Sequence, residues 1–284
     1  MKTIDELTRL LRLEKIEENI FRGQNYLAPW KRVFGGQVLA QSIHAAHQTV
    51  GPNRTLHSMH AYFLLTGDIN TPIVYEVDRS RDGGSFTTRR VVAIQKGKPI
   101  FITSISFHKT TGGFDHQMEM PDVPGPEGLK SSVELIQPLK EKAPELYQRL
   151  NEARPIEFRP VEAHDILRPK KSKPQRHFWL RARGGMTNDI RQHQEVLAYA
   201  SDYNLLGTAI LPHRDQLQGK EMFFASLDHA MWFHRPFRVD EWLLYQLDSP
   251  SASNARGFTR GNIFDRTGRL VASVTQEGLM AERR

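Results

Sequence analysis

Residues 196–207, VLAYASDYNLLG, set Val196, Tyr199, Ala200 and Tyr203 at three- and four-residue steps, the spacing of one helix face. Leu197 and Ala198 fill the gaps, so the predicted helix is apolar nearly all round, as a buried helix is. Residues 35–50, GGQVLAQSIHAAHQTV, read the same way. Near the N-terminus Thr3 and Glu6 form a capping-box pattern, which predicts a short helix burying Leu7, Leu10 and Leu11. Stretches rich in β-formers predict strands at Thr55–Leu65, Ile73–Arg81, Ser85–Gln95 and Ile100–His108, separated by turn signals such as DGG and KGKP. In the second half, IEFRPVE (156–162) and HFWLRAR (177–183) precede the helix. Met222–Trp232, Trp242–Asp248, Gly257–Phe264 and Leu270–Gly278 follow it, with DRTG as the last turn.

The two series resemble each other. His60 matches His229, Phe86 matches Phe258 and Gly97 matches Gly268, and the offset drifts by only a few residues, as loop insertions would cause. So long a period fits two fused copies of one unit better than a solenoid. The chain divides into a first repeat over 1–109, a linker over 110–155 and a second repeat over 156–284. The linker begins TTGGFDHQMEMPDVPGPEGL and continues into one surface helix around Ser132–Asn151. One long helix per unit, with consecutive antiparallel strands, predicts an α+β fold in which each sheet curls around its helix.

The 284 residues suffice for one large or two small cores. No apolar run reaches membrane-span length, and the N-terminus has no signal-peptide pattern. The absence of cysteine rules out disulfides, a thiolate nucleophile and cysteine metal sites, and it fits a reducing compartment. MAERR at the C-terminus is not an SKL-type address, so the cytoplasm is the expected location. The net charge of +7 is spread along the chain. The one dense basic run, RPKKSKPQR (168–176), reads as a solvated loop. With no nucleic-acid motif, the charge excess equally suits a phosphorylated small ligand.

No G-x-S-x-G elbow, P-loop or dinucleotide fingerprint is present. HSMH (57–60) lies on a strand, where residues three apart face opposite sides. HAAH (44–47) shares a helix face but lacks the context of a metal motif, so no metal is expected. What remains is chemistry with a held water or a proton shuttle. Three polar residues stand in apolar surroundings: Asp202, Ser226 in FFASLDHAMW and Gln276 in LVASVTQEGL. Each has a plain structural reading beside the functional one, since an Asp near a helix end, a strand Ser and a strand Gln all commonly face water.

VFGGQVLAQ, RDGGSFTTRRVVAIQKGKPIF, DHAMWFHRPF, EWLLY and SASNARGFTRG together resemble the acyl-CoA thioesterase II family, over nearly the whole chain. The resemblance implies a double-hotdog fold, which agrees with the repeat. It also implies hydrolysis of acyl-CoA to fatty acid and coenzyme A, with no cofactor and a homo-oligomer, dimer or tetramer. Of the family's site residues, the aspartate falls on Asp202, the threonine or serine on Ser226 and the glutamine on Gln276. Together they hold a water that Asp202 activates. Arg89, Arg90, Arg256 and Arg260 are either solvated strand charges or partners for coenzyme A phosphates. The alternatives are a hotdog hydratase or dehydratase using His44, His57 or His60, and a non-catalytic acyl-CoA-binding protein. Carried back through the repeat, Asp202, Ser226 and Gln276 fall on His44, His57 and Ile105, which predicts one catalytic site per chain.

Overall fold

A computed structural model describes residues 1–28, 31–151, 154–162, 167–168, 170–217 and 219–282. The N-terminal helix α1 (Ile4–Leu11) starts at Thr3 with the expected capping box and buries Ile4, Leu7 and Leu11, leaving Leu10 half-buried. Strands β1 (Glu14–Glu17) and β2 (Ile20–Gly23) follow, then helix α2 (Gly35–His47) and strands β3 (Thr55–Phe63), β4 (Ile73–Asp82), β5 (Phe86–Gln95) and β6 (Lys98–His108). The second half repeats the order. Strands β7 (Ile156–Pro160) and β8 (Gln175–Ala182) lead into helix α6 (Ile190–Ser201) and the short α7 (Leu205–Ala209). Then come β9 (Met222–Ser226), β10 (Asp228–Phe233), β11 (Leu243–Ser253), β12 (Arg256–Asp265) and β13 (Leu270–Glu282).

The described strands form one sheet in the order β1-β2-β4-β5-β6-β3-β10-β13-β12-β11-β8-β7, with β9 also on β13. The order reads the same from either end under the pairing of β1 with β7, β2 with β8, β4 with β11, β5 with β12, β6 with β13 and β3 with β10. Two equivalent antiparallel sheets are therefore joined edge to edge at β3 and β10, where His60 faces Ala230 and Ala61 faces His229. Helices α2 and α6 pack on each other inside this sheet, and Val38, Leu39, Ala40, Val196, Leu197 and Ala198 are all buried in one core. This is the α+β double hotdog.

Three expectations are corrected. Strands β1 and β2 were not foreseen, because every residue of β1 is exposed and leaves no hydrophobic alternation to read. The linker helix is three short ones, α3 (Ser132–Leu135), α4 (Leu139–Lys142) and α5 (Pro144–Leu150). Pro138 and Pro144 cannot continue a helix that precedes them. The strand expected over Met222–Trp232 is broken at Leu227. The lysines of the basic run, Lys170, Lys171 and Lys173, are exposed as expected, but Arg176 is turned inward and packs over the Phe178 ring, because it already belongs to β8; Pro169 lies outside the described residues.

Candidate active site

The break at Leu227 builds the site. On β9, Ser226 pairs with Gly278 of β13; on β10, Ala230 pairs with Thr275. Four residues on one strand thus span three on the other, which is a β-bulge. In a regular strand, residues three apart face opposite sides. The extra residue cancels that alternation, and Ser226 and His229 both turn toward Gln276. The Gln276 Nε2 donates to Ser226 Oγ at 3.0 Å, and its Oε1 lies 2.8 Å from His229 Nδ1. Leu227 is held on both sides, its N–H on Glu277 O and its C=O accepting from Phe63 N.

Asp202 arrives from the core. It is the C-cap of α6. Its Oδ1 accepts from Ser226 Oγ at 3.4 Å and its Oδ2 from the backbone N–H of Gly36 at 2.9 Å. The three residues picked out of the sequence thus meet. The donor from Gly36 belongs to the first turn of α2, the positive end of a helix. The approach is close: a Cβ on Gly35 would lie 2.7 Å from Asp202 Oδ2, and one on Gly36 only 2.4 Å from Tyr199 O. Burial pushes the Asp202 carboxyl up to about 7, against the lowering effect of Gly36, Ser226 and Gln276. Desolvation outweighs three hydrogen bonds because the surroundings are apolar.

Asp202, Ser226 and Gln276 open on a cleft of about 480 Å³ whose walls include Phe63, Leu64, Leu206 and Phe224. A larger cavity of about 960 Å³ lies under α3–α5 and adjoins the cleft at Asn204 and Gly207, but it touches none of the three.

Comparison with known proteins identifies the family. The acyl-CoA thioesterase model matches residues 147–279, and the acyl-CoA thioesterase N-terminal domain model matches 26–108. The chain is 42% identical over 283 residues to acyl-coenzyme A thioesterase 8 of Homo sapiens, spanning 96% of this chain and 88% of that one. It is 38% identical to acyl-CoA thioesterase 2 of Haemophilus influenzae, over 98% of this chain and 97% of that one. The chain belongs to the acyl-CoA thioesterase family. Among solved structures, an acyl-CoA thioesterase II from Mycobacterium marinum superimposes with a TM-score of 0.81 at 40% identity, covering 98% of both chains.

The other residues singled out in this thioesterase have different surroundings. His44 and His47 share a helix face as their spacing implied, but both aim Nδ1 at Glu195 Oε1, at 3.2 and 2.9 Å. Burial pushes Glu195 up, yet the two histidines hold it well below the usual carboxylate range. This His–Glu group sits between α2 and α6, away from the cleft lining, so the geometry does not favour the hydratase reading. Glu195 itself was missed, although it immediately precedes the apolar run of α6. His57 bonds Ser106, and His60 is exposed beside Trp232.

Of the four arginines, Arg89 is buried and bonded to Thr49 and Asp82, so it is not the solvated strand charge its position suggested. Arg256 and Arg260 pair with Glu277 and Asp248, and Arg90 is exposed.

The register also corrects the repeat match. Gly97 and Gly268 take the same left-handed turn, at φ 72° and 83°. Counted from there, Gln276 corresponds to Ile105 and Gly278 to Phe107. Phe107 faces Leu56 and Ile105 faces Met59, with a bulge between Leu56 and Ser58 in the same place. Ser226 therefore corresponds to Leu56, not His57, and His229 to Met59, not His60. The mismatch was physical: His60 is exposed and His229 is 1% exposed, so they lie on opposite faces.

Proposed function

We propose that this thioesterase hydrolyses acyl-CoA through a water activated by Asp202 and positioned by Ser226 and Gln276. The observation that carries the reading is a carboxylate raised to about 7 that opens on an apolar cleft and bonds the two polar residues beside it. A general base works best with its pKa near the working pH. Below that value Asp202 is protonated and inert; above it, the carboxylate takes a proton from water as the C–O bond to the thioester carbonyl forms. Ser226 and Gln276 hold the water and the carboxylate in place, so little orientational freedom is lost on the way to the transition state. The positive end of α2 supports negative charge on the reacting oxygens. The coenzyme A thiolate leaves without a strong acid, since thiols have a pKa of about 8.5.

The apolar cleft suits a fatty acyl chain, which supports a role in lipid metabolism. The absence of cysteine fits the cytoplasm. Exposed Tyr62 beside the β3–β10 seam gives a homo-oligomer, a dimer or tetramer, an apolar surface to bury. Among the described residues no helix is long and apolar enough to cross a membrane.

The test is incubation with a saturated acyl-CoA and a thiol-reactive dye. Thiol release that Asp202→Asn abolishes supports the reading. A hydratase or a non-catalytic acyl-CoA binder releases no thiol from a saturated chain, and that result ends it.

A further inference from the structure

We propose that His229 is a positioning residue for this hydrolysis: it locks the Gln276 carboxamide with its NH2 group toward Ser226 and Asp202. The inference rests on the function proposed above. His229 lies on β10, is 1% exposed, and does not line the cleft. Its Nδ1 is 2.8 Å from Gln276 Oε1 and its Nε2 is 3.0 Å from Ser201 Oγ.

A carboxamide presents oxygen on one side and NH2 on the other, in nearly the same shape. Turning it over is blocked only by neighbours that tell donor from acceptor. The cleft side tells poorly. The Ser226 hydroxyl can donate or accept, and a carboxyl that titrates near neutrality is an acceptor when ionised and a donor when protonated. The partner that can hold the NH2 group toward the cleft in both ionisation states of Asp202 is His229 on the core side, when its ring proton is on Nδ1.

Burial lowers the His229 pKa to about 4, so the ring is neutral at working pH and carries one N–H. Two self-consistent proton arrangements exist. In the first, Ser201 O–H donates to Nε2, the ring proton sits on Nδ1, and Nδ1–H donates to Gln276 Oε1. In the second, Ser201 O–H donates to Ala198 O, 2.9 Å away, and the ring proton sits on Nε2. Nδ1 then accepts, and the amide has to turn its NH2 to the core and its oxygen to the cleft. The observed orientation, with Oε1 on Nδ1 and Nε2 on Ser226 Oγ, requires the first. Every proton in it points the same way, from Ser201 through His229, Gln276 and Ser226 to Asp202. In the second, the Gln276 oxygen draws the Ser226 proton away from the carboxylate.

The first half supplies the contrast. The counterparts of Ser226, His229 and Gln276 are Leu56, Met59 and Ile105, all buried and apolar. The histidine is absent where the glutamine and the serine are absent, as expected of a residue whose work is to orient them.

Two measurements test this. The first is nitrogen NMR of the ¹⁵N-histidine-labelled enzyme, with His229 identified by its loss in His229→Asn. A neutral ring protonated on Nδ1 is expected, and protonation on Nε2 overturns the proposal. The second is kinetics. Asn can offer an N–H close to the place of Nδ1, so His229→Asn keeps kcat within about fivefold, while His229→Leu loses about tenfold or more with KM little changed, the scale of supporting-residue losses elsewhere. Made in a Gln276→Ala background, His229→Leu costs nothing further, because the group it orients is gone. Equal loss in Asn and Leu variants, or full additivity with Gln276→Ala, overturns it. Should His229→Leu fail to fold, the Asn variant and the tautomer measurement decide. If Asp202→Asn retains turnover, the choice of base fails, while the tautomer result still judges the lock.

Discussion

The carboxylate of Asp202 and the backbone N–H of Gly36 are 166 residues apart in the chain and 2.9 Å apart in space. One ends the helix of the second repeat and the other begins the helix of the first. The antiparallel packing of α2 on α6 makes that contact, so the site belongs to both repeats even though its side chains come from one.

Replacing Asp202 by Asn keeps the shape and removes the proton acceptor. Turnover of acyl-CoA is expected to fall about a hundredfold or more, the usual scale for a lost general base. Circular dichroism should show the fold intact. Activity within a few-fold of the parent would refute the role.

The raised pKa of Asp202 sets a pH dependence. Only the carboxylate accepts a proton, so kcat/KM should climb with pH and reach half its plateau near 7. A rate that stays level between pH 5 and 9 contradicts this.

The same shift acts on stability with a defined sign. The folded-state value lies above the unfolded 3.8, so the contribution is fully present below that value and is lost as pH rises through about 7. Asp202→Asn should therefore melt higher than the parent at pH 8, and the gap should close toward pH 4. At about 1.4 kcal/mol per pH unit the ceiling is about 4 kcal/mol, and the side chain's partial opening onto the cleft reduces it. Thermal melts across pH check the trend.

Ser226 contributes a hydroxyl. Ser226→Thr should retain substantial activity and Ser226→Ala should lose much more. The methyl of Thr only stiffens the side chain, whereas Ala leaves Asp202 and Gln276 without their shared partner. Equal rates in all three would mean a purely structural residue.

Alanine at the two glycines should separate activity from stability. At Gly36 the new Cβ meets the Tyr199 carbonyl at 2.4 Å, and backbone cannot step aside, so the cost is about 1–3 kcal/mol or more. At Gly35 it meets the Asp202 carboxylate at 2.7 Å, which can rotate away. Gly35→Ala should thus keep most of its melting temperature and lose turnover. The opposite ranking would show that the α2 turn does not constrain the carboxylate.

Much of this was legible from the chain alone. Helical periodicity marked α2 and α6, β-rich composition between turn signals marked ten later strand stretches, and the repeated order implied two copies of one unit. A lone carboxylate at the end of an apolar helix marked Asp202. Such signals are local: the period of an element and the polarity of its faces are carried by neighbouring residues, and burial merely enforces them. Where the local signal was missing or ambiguous, the reading slipped. β1 has no buried face, and matching His60 to His229 ignored which side of the sheet each faces.

Ser226, His229 and Gln276 come together only because one extra residue at Leu227 turns a strand over. The register that shows the extra residue exists only between β9, β10 and β13. Gly36 reaches Asp202 only because two glycines let α2 approach the end of α6. The chain itself determined the helix-in-sheet unit, its duplication and the residue types that could hold a water. Tertiary structure decided which of them meet and how strongly the carboxylate is perturbed. Desolvation and cross-strand register arise between segments distant in sequence, and they leave no periodic trace in any one of them.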